Sequence, residues 1–190
     1  MQVGDRRTEI IETACMLFNK KGYNNVTMRV LASEIGVKGA SLYNHISSKQ
    51  EILSTIIITV AEQFVKRMDE VVADDSNTIE KIKSIIVLHI ELTLNNPNGM
   101  ASLQNDWMYL EGGNLIYFKK MRKEYESSFR SVIEKGVAEG ALKNVNPEII
   151  LFSILTTLQS LYVWYPRQKK IEKNKLKQDM IAVLLKGICE

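Results

Sequence analysis

The chain has 190 residues, 45% of them hydrophobic and 25% charged, with a formal net charge of +3, a composition that suits one large globular domain or two small ones. Its two cysteines, Cys15 and Cys189, are too few and too far apart for a disulfide framework or a zinc ribbon. Asp5, Arg6 and Arg7 interrupt the start where a secretory leader would be apolar, and no apolar run approaches the ~20 residues of a membrane span, so a soluble cytoplasmic protein is expected.

The elements are predicted in chain order from apolar periodicity. Asp5 to Lys21 puts Ile10, Ile11, Ala14, Leu17 and Phe18 on one stripe and stops at Gly22. Cys15 falls among these residues and is expected to be a buried small hydrophobe. Thr27 is an N-cap for a short helix from Met28 to Ile35, which Gly36-Val37 breaks. A second short segment runs from Gly39 to Ile46. Ser47 or Ser48 caps a long helix to about Val72, with Glu51 three residues after Ser48 as in a capping box. After the polar stretch Asp74 to Asn77 come Thr78 to Leu94, a turn at Asn95 to Gly99, and Met100 to Leu110. Gly112-Gly113 breaks the chain before a long amphipathic helix from Leu115 to Glu139. Asn146 as N-cap and Pro147 at the first helical position open a helix to Tyr165. Pro166 and the basic residues Arg167, Lys169 and Lys170 form the last loop, and Lys173 to Ile188 is the final helix. About nine helices and no strands result: an all-α fold.

Residues 27–49 carry the functional signal. Two short helices joined by Gly36-Val37-Lys38 have helix-turn-helix proportions, in which the second helix enters the major groove. In that second helix Leu42 and Ile46 supply an apolar side, while Ala40, Ser41, Asn44 and His45 are small or polar. Asn44 can offer donor and acceptor together to a base edge, and Ser41 can reach a base or a phosphate. Lys38 and Lys49 flank the helix where cations neutralise phosphates, and Thr27 caps a helix N-terminus, a favourable place for a phosphate oxygen. Charge placement agrees. Residues 1–50 hold seven cations against four anions, the whole of the +3, and the other 140 residues hold 18 of each sign.

The stretch from Val26 to Leu53, with Leu42-Tyr43-x-His45 and Lys49-x-x-Ile52-Leu53, resembles the DNA-binding domain of TetR-type transcriptional repressors. Ile11 to Ala14, Leu17-Phe18 and Gly22-Tyr23 match its first helix, so the resemblance covers about residues 8–55. It implies a three-helix DNA-binding domain at 1–50 and a helical effector-binding and dimerisation domain at 51–190. It implies phosphate contacts from Thr27 and Lys49, and groove or phosphate contacts from Ser41, Tyr43, Asn44 and His45. The whole candidate set is Thr27, Met28, Arg29, Lys38, Gly39, Ala40, Ser41, Tyr43, Asn44, His45 and Lys49. The sequence departs from the family pattern at Lys38, Gly39-Ala40, Asn44 and Ile46, so the operator cannot be borrowed from a relative.

In the remainder, Trp107, Met108, Tyr117, Met121, Tyr125 and Phe129 belong to an aromatic and Met-rich cluster. It is core on the plain reading and in part pocket lining within the family. Arg122, Lys123 and Arg130 could serve an anionic ligand, although a solvated helix face with ion pairs is the plainer role for any one of them. The run from Tyr125 to Gly140, then Val145 to Pro147, then Tyr162 to Tyr165 with Trp164, is similar to the acyl-CoA-responsive subgroup of regulators of fatty-acid and steroid breakdown. That similarity implies an acyl-CoA effector. The broad apolar faces of the last two helices suit a homodimer interface.

No enzyme is expected, since His-Glu-x-x-His, a Gly-rich phosphate loop and a strand-elbow Ser are missing. No cofactor, metal or membrane partner is expected either. His89, between Leu88 and Ile90, is a core or pocket histidine. The alternative function is a helical adaptor that binds a protein partner and not DNA.

Overall fold

The computed structural model describes residues 3–168 and 170–189, so Lys169 of the last basic loop lies outside the described residues. The helices are α1 (Val3–Lys21), α2 (Met28–Ile35), α3 (Gly39–Tyr43), α4 (Lys49–Ala73) and α5 (Thr78–Asn95). There follow α6 (Pro97–Asn105), α7 (Gly112–Ala138), α8 (Pro147–Gln159), α9 (Leu161–Trp164) and α10 (Lys173–Lys186). Short 3-10 turns lie at Tyr23–Asn25, Trp107–Tyr109 and Tyr165–Arg167. Among the described residues the only extended pairing is one isolated antiparallel bridge, Leu142 with Cys189.

Local chemistry accounts for several helix ends. The Thr27 hydroxyl accepts from the Val30 amide at 3.2 Å, and the Asn146 side chain accepts from the Glu148 amide at 2.9 Å, with Pro147 in the first turn. Asn77, at the end of the polar break, caps α5 by accepting from the Glu80 amide at 3.0 Å. Gly36 ends α2 with φ 75°, a left-handed conformation that favours glycine, and the Val37 amide returns to the Ala32 carbonyl at 2.9 Å. At α4 the Ser48 hydroxyl accepts from the Glu51 amide at 3.0 Å. The reciprocal arm falls one residue earlier than in a capping box: Glu51 accepts from both the amide and the hydroxyl of Ser47, each at 2.7 Å. Arg7 of α1 donates to the other Glu51 oxygen at 2.9 Å.

Several boundaries differ from expectation. The third helix ends at Tyr43, and the backbone then tightens, with the His45 and Ile46 amides both returning to the Leu42 carbonyl. The helix expected to run unbroken to Tyr165 is interrupted at Ser160. There the Thr157 and Ser160 hydroxyls bond back to the carbonyls of Ser153 and Thr157, and Pro166 lacks an amide to continue the ladder. Gly112-Gly113 does not precede α7 but opens it. One stretch also exceeds the length of any apolar run read from the sequence. Pro147–Arg167 spans 21 residues with a mean hydropathy of 1.3 over its most apolar window, long and apolar enough by composition to cross a membrane, and 33% of that window is buried. Counting uninterrupted apolar residues missed it because Ser153, Thr156 and Thr157 break the run without breaking the helix.

The chain divides into two compact units, Met1–Ala61 with Asn98–Lys119, and Glu62–Pro97 with Lys120–Glu190. The first unit therefore takes in residues 98–119, which the sequence boundary at residue 50 assigns to the effector part. Its core holds Ile10, Ala14, Leu17, Phe18, Leu31, Leu42, Ile46 and Leu53. Segment 98–119 joins it through named pairs. Tyr109 stacks on Tyr23 with ring centroids 5.2 Å apart, Gln50 donates to the Tyr109 carbonyl, and Asn19 donates to Asn98 at 2.8 Å. Cys15 is buried as expected, and burial pushes its thiol up to about 11, which keeps it protonated.

In the second unit α5 is the central helix, packed by α8, α9 and α10 and fixed to α10 by Lys177 donating to Glu91 at 2.7 Å. Ile82, Ile85, Ile86 and Ile90 of α5 are buried with Phe129, Ile133, Ile154 and Leu158. Gly136 permits the close approach of α7: a Cβ there would lie 2.5 Å from Thr78 Cγ2 and 2.8 Å from Leu142 Cδ1.

Gly136→Ala is expected to destabilise the fold by about 1–3 kcal/mol, read as a lower urea midpoint. Wild type at the same midpoint would contradict the close approach. Ser47 and Arg7 hold the Glu51 carboxyl below the ordinary 4.5, so its contribution is present above that value and lost as pH falls through the folded one. The stability gap between wild type and Glu51→Gln is therefore expected to be open at pH 7 and to close below pH 4.5. A gap that does not change with pH would refute the clamp.

Candidate nucleic-acid interface

A five-residue helix has too few internal hydrogen bonds to stand alone. α3 is held because Leu42 is fully buried and Ile46, just beyond it, is 1% exposed. With these two turned inward, Gly39, Ala40, Ser41, Tyr43 and Asn44 remain exposed, Tyr43 at 55%. Its first turn is closed by the Ser41 amide bonding the Lys38 carbonyl at 2.9 Å. α2 packs against α3 and presents exposed Arg29 and half-buried Met28. An open concavity of about 360 Å3 lies between them, lined by Met28, Arg29, Ala32, Ser33, Val37, Gly39 and Tyr43.

The remaining candidates are placed as follows. Lys38 is exposed at the start of α3, and Thr27 is exposed while its hydroxyl caps α2. His45 is half-buried, and its Nδ1 is buried with no hydrogen-bond partner among the described residues. Lys49 is half-buried: its Nζ donates to the Tyr23 carbonyl at 3.0 Å and sits 3.9 Å from the centre of the Tyr23 ring. Burial lowers its ammonium below the usual lysine value. Sequence reasoning gave Lys49 a phosphate but did not see this internal anchor. A Tyr in the first-helix match, 26 residues earlier, was the only available signal.

The residues proposed for an effector are divided between the two units. Trp107, Met108 and Tyr117 belong to the first unit, where Trp107 stacks on Phe118 with centroids 5.8 Å apart and Met108 and Tyr117 are exposed. In the second unit Met121, Tyr125 and Phe129 recur every four residues on the buried side of α7, whereas Arg122 is exposed and bonds Glu126 at 2.9 Å. Trp164 is exposed on α9. Arg130 forms an ion pair with Glu148.

The second core contains a polar cluster instead. The His89 Nε2 lies 2.7 Å from the Tyr125 hydroxyl, and the Phe64 ring is 4.7 Å from the imidazole and edge-on to Tyr125 at 5.6 Å. Burial pushes His89 down to about 3 and the Tyr125 phenol up, so both are neutral near pH 7. Phe64 and Thr93 carry no distinguishing sequence signal. Their helical spacing reads only as core.

The profile of bacterial regulatory proteins of the tetR family matches residues 10–56. That of the tetracyclin repressor-like C-terminal domain matches residues 75–188, more than half of the chain. The HTH-type transcriptional repressor KstR2 of Mycobacterium tuberculosis (strain ATCC 25618 / H37Rv) is 22% identical over 189 residues, covering 98% of this chain and 94% of that protein. The structure of the ketosteroid transcriptional regulator KstR2 of M. tuberculosis superposes with a TM-score of 0.92 at 22% identity, covering 100% of this chain and 97% of that one. The structure of AibR in complex with isovaleryl coenzyme A and operator DNA superposes with a TM-score of 0.81 at 22% identity, covering 94% and 97%. This chain belongs to the tetR family of bacterial regulatory proteins.

Proposed function

We infer that the protein is a homodimeric transcriptional repressor that binds operator DNA through residues 1–50 and is released by a small effector bound within residues 51–190. The carrying observation is α3, a helix anchored by Leu42 and Ile46 with Ala40, Ser41, Tyr43 and Asn44 turned to solvent. Side chains of this kind on a rigid helix can reach base edges in the major groove. Thr27, Arg29, Lys38 and Lys49 contact phosphates beside it, and Met28, Gly39 and His45 complete the surface. In the dimer two such helices enter successive major grooves, about 34–36 Å apart.

The dimer reading rests on α8 and α10, which expose Ile149 (56%), Phe152 (66%) and Val183 (72%), apolar side chains that a second copy would cover. The effector reading rests on the likeness to AibR, which was solved with an acyl-CoA thioester and operator DNA, and on the sequence run from Tyr125 to Trp164. An acyl-CoA that binds one conformer more tightly than the other shifts the dimer toward the conformer with weaker DNA affinity, by the ratio of its two affinities.

A gel shift with DNA from upstream of the protein's own gene tests the reading. A shift that acyl-CoA reverses is expected. No shift at low salt with folded dimer would overturn it and favour a protein-binding adaptor. Tyr43→Ala is expected to weaken binding with little change in melting temperature, because the ring is exposed. Lys49→Ala is expected to weaken binding and also to lower the melting temperature: it removes a phosphate contact, worth about 0.9 in the salt slope, and the Tyr23 anchor. Unchanged affinity in both variants would refute these contacts.

A further inference from the structure

The His89 cluster leaves two polar atoms unanswered. His89 and Thr93 are each 3% exposed, and among the described residues neither the His89 Nδ1 nor the Thr93 Oγ1 has a hydrogen-bond partner. A buried polar atom without a partner is unfavourable, so two within one core call for a ligand-side explanation. They are four residues apart on α5, which puts them on one face with Cβ atoms about 5–6 Å apart. A single oxygen can bond both.

The cluster also states which kind of oxygen. Tyr125 sits on the Nε2 side at 2.7 Å. With the Tyr125 hydroxyl donating to Nε2, the single proton of the neutral ring lies on Nδ1. Nδ1 is then a donor, and the Thr93 hydroxyl is a second. Two neutral donors on one helix face match the two lone pairs of a carbonyl oxygen. They suit a carboxylate or phosphate less well, since neutral donors leave an anion's charge uncompensated, and in this unit Lys177 is bonded to Glu91 and Arg122 to Glu126. Phe64 and Tyr125, packed against the imidazole, make the surroundings apolar, as an acyl chain requires.

We propose that His89 Nδ1 and Thr93 Oγ1 bind the thioester carbonyl oxygen of the acyl effector, with Tyr125 as the positioning residue that sets the imidazole tautomer. The assignment rests on the acyl-CoA reading above and adds to it the atoms that recognise the acyl group. Selectivity at this locus is for a carbonyl next to an apolar chain and against the same chain without it.

The test is calorimetric titration of the full-length protein with isovaleryl-CoA and octanoyl-CoA, each beside its thioether analogue in which CH2 replaces the carbonyl. Wild type is expected to bind the thioester about tenfold more tightly than the thioether, the sum of two modest hydrogen bonds. The ratio is expected to fall to about threefold in His89→Phe and in Thr93→Val, and to about one in the double variant. The melting temperature is expected to hold or rise in Thr93→Val, which removes an unpartnered buried oxygen, and to fall in His89→Phe, which leaves the buried Tyr125 hydroxyl without its partner. A purely structural role would weaken thioester and thioether alike. Equal affinity of wild type for thioester and thioether would overturn the carbonyl site and leave the effector reading standing. So would a preference that survives in the double variant. Failure of all four compounds to bind would overturn both.

Discussion

The burial of Leu42 and Ile46 is the constraint on which the DNA-binding unit depends. α3 has five residues, fewer than a helix needs to persist by its own hydrogen bonds. Its direction is set by where two apolar side chains enter the core, each contributing about 1.5–3 kcal/mol on burial. The neighbouring devices fix that entry. Thr27 starts α2 at a defined residue, Gly36 turns the chain through a left-handed conformation, and Glu51 ties the Ser47 turn to Arg7 of α1. Each removes a freedom that the short helix could not remove by itself. What faces solvent is then a consequence of what faces inward.

The second unit solves a different problem. α5 is surrounded by other helices and is almost wholly apolar on its buried faces, yet it carries His89 and Thr93 inside. Neutral His89 and Tyr125 satisfy each other at one ring nitrogen only. A core that served stability alone would have Leu or Phe at such places, since apolar replacement of buried polar groups is often neutral or favourable. In the proposed reading, the retained polarity gives an otherwise apolar interior the means to select among acyl ligands and links packing to regulation.

Legibility in the sequence follows the range of the interaction. Thr27, Gly36, Asn146-Pro147 and the alternation of buried and exposed residues in α1 and α2 were readable because caps and periodicity are determined within a few residues. The exposed face of α3 was readable for the same reason. Residues joined over long separations were not. Nothing marks Tyr109 as the partner of Tyr23, or Asn98 as the partner of Asn19, so the inclusion of 98–119 in the first unit could not be read. Lys49 looked like a free cation because its acceptor is a backbone carbonyl, which has no sequence signature. The aromatic and Met-rich run from Trp107 to Phe129 looked like one cluster because composition ignores direction. On the helix, Met121, Tyr125 and Phe129 turn inward while Tyr117 and Arg122 turn out. Ser160 interrupts its helix through hydroxyl bonds that periodicity does not register.

The central claim is that an anchored α3 reads DNA sequence. Fluorescence anisotropy with a labelled duplex from the upstream region, in competition with random duplex of equal length and at two salt concentrations, tests it most directly. The account predicts saturable binding that falls linearly in log affinity with log salt, and a preference over random DNA of at least about 10³. Equal affinity for both duplexes at every salt concentration would contradict it.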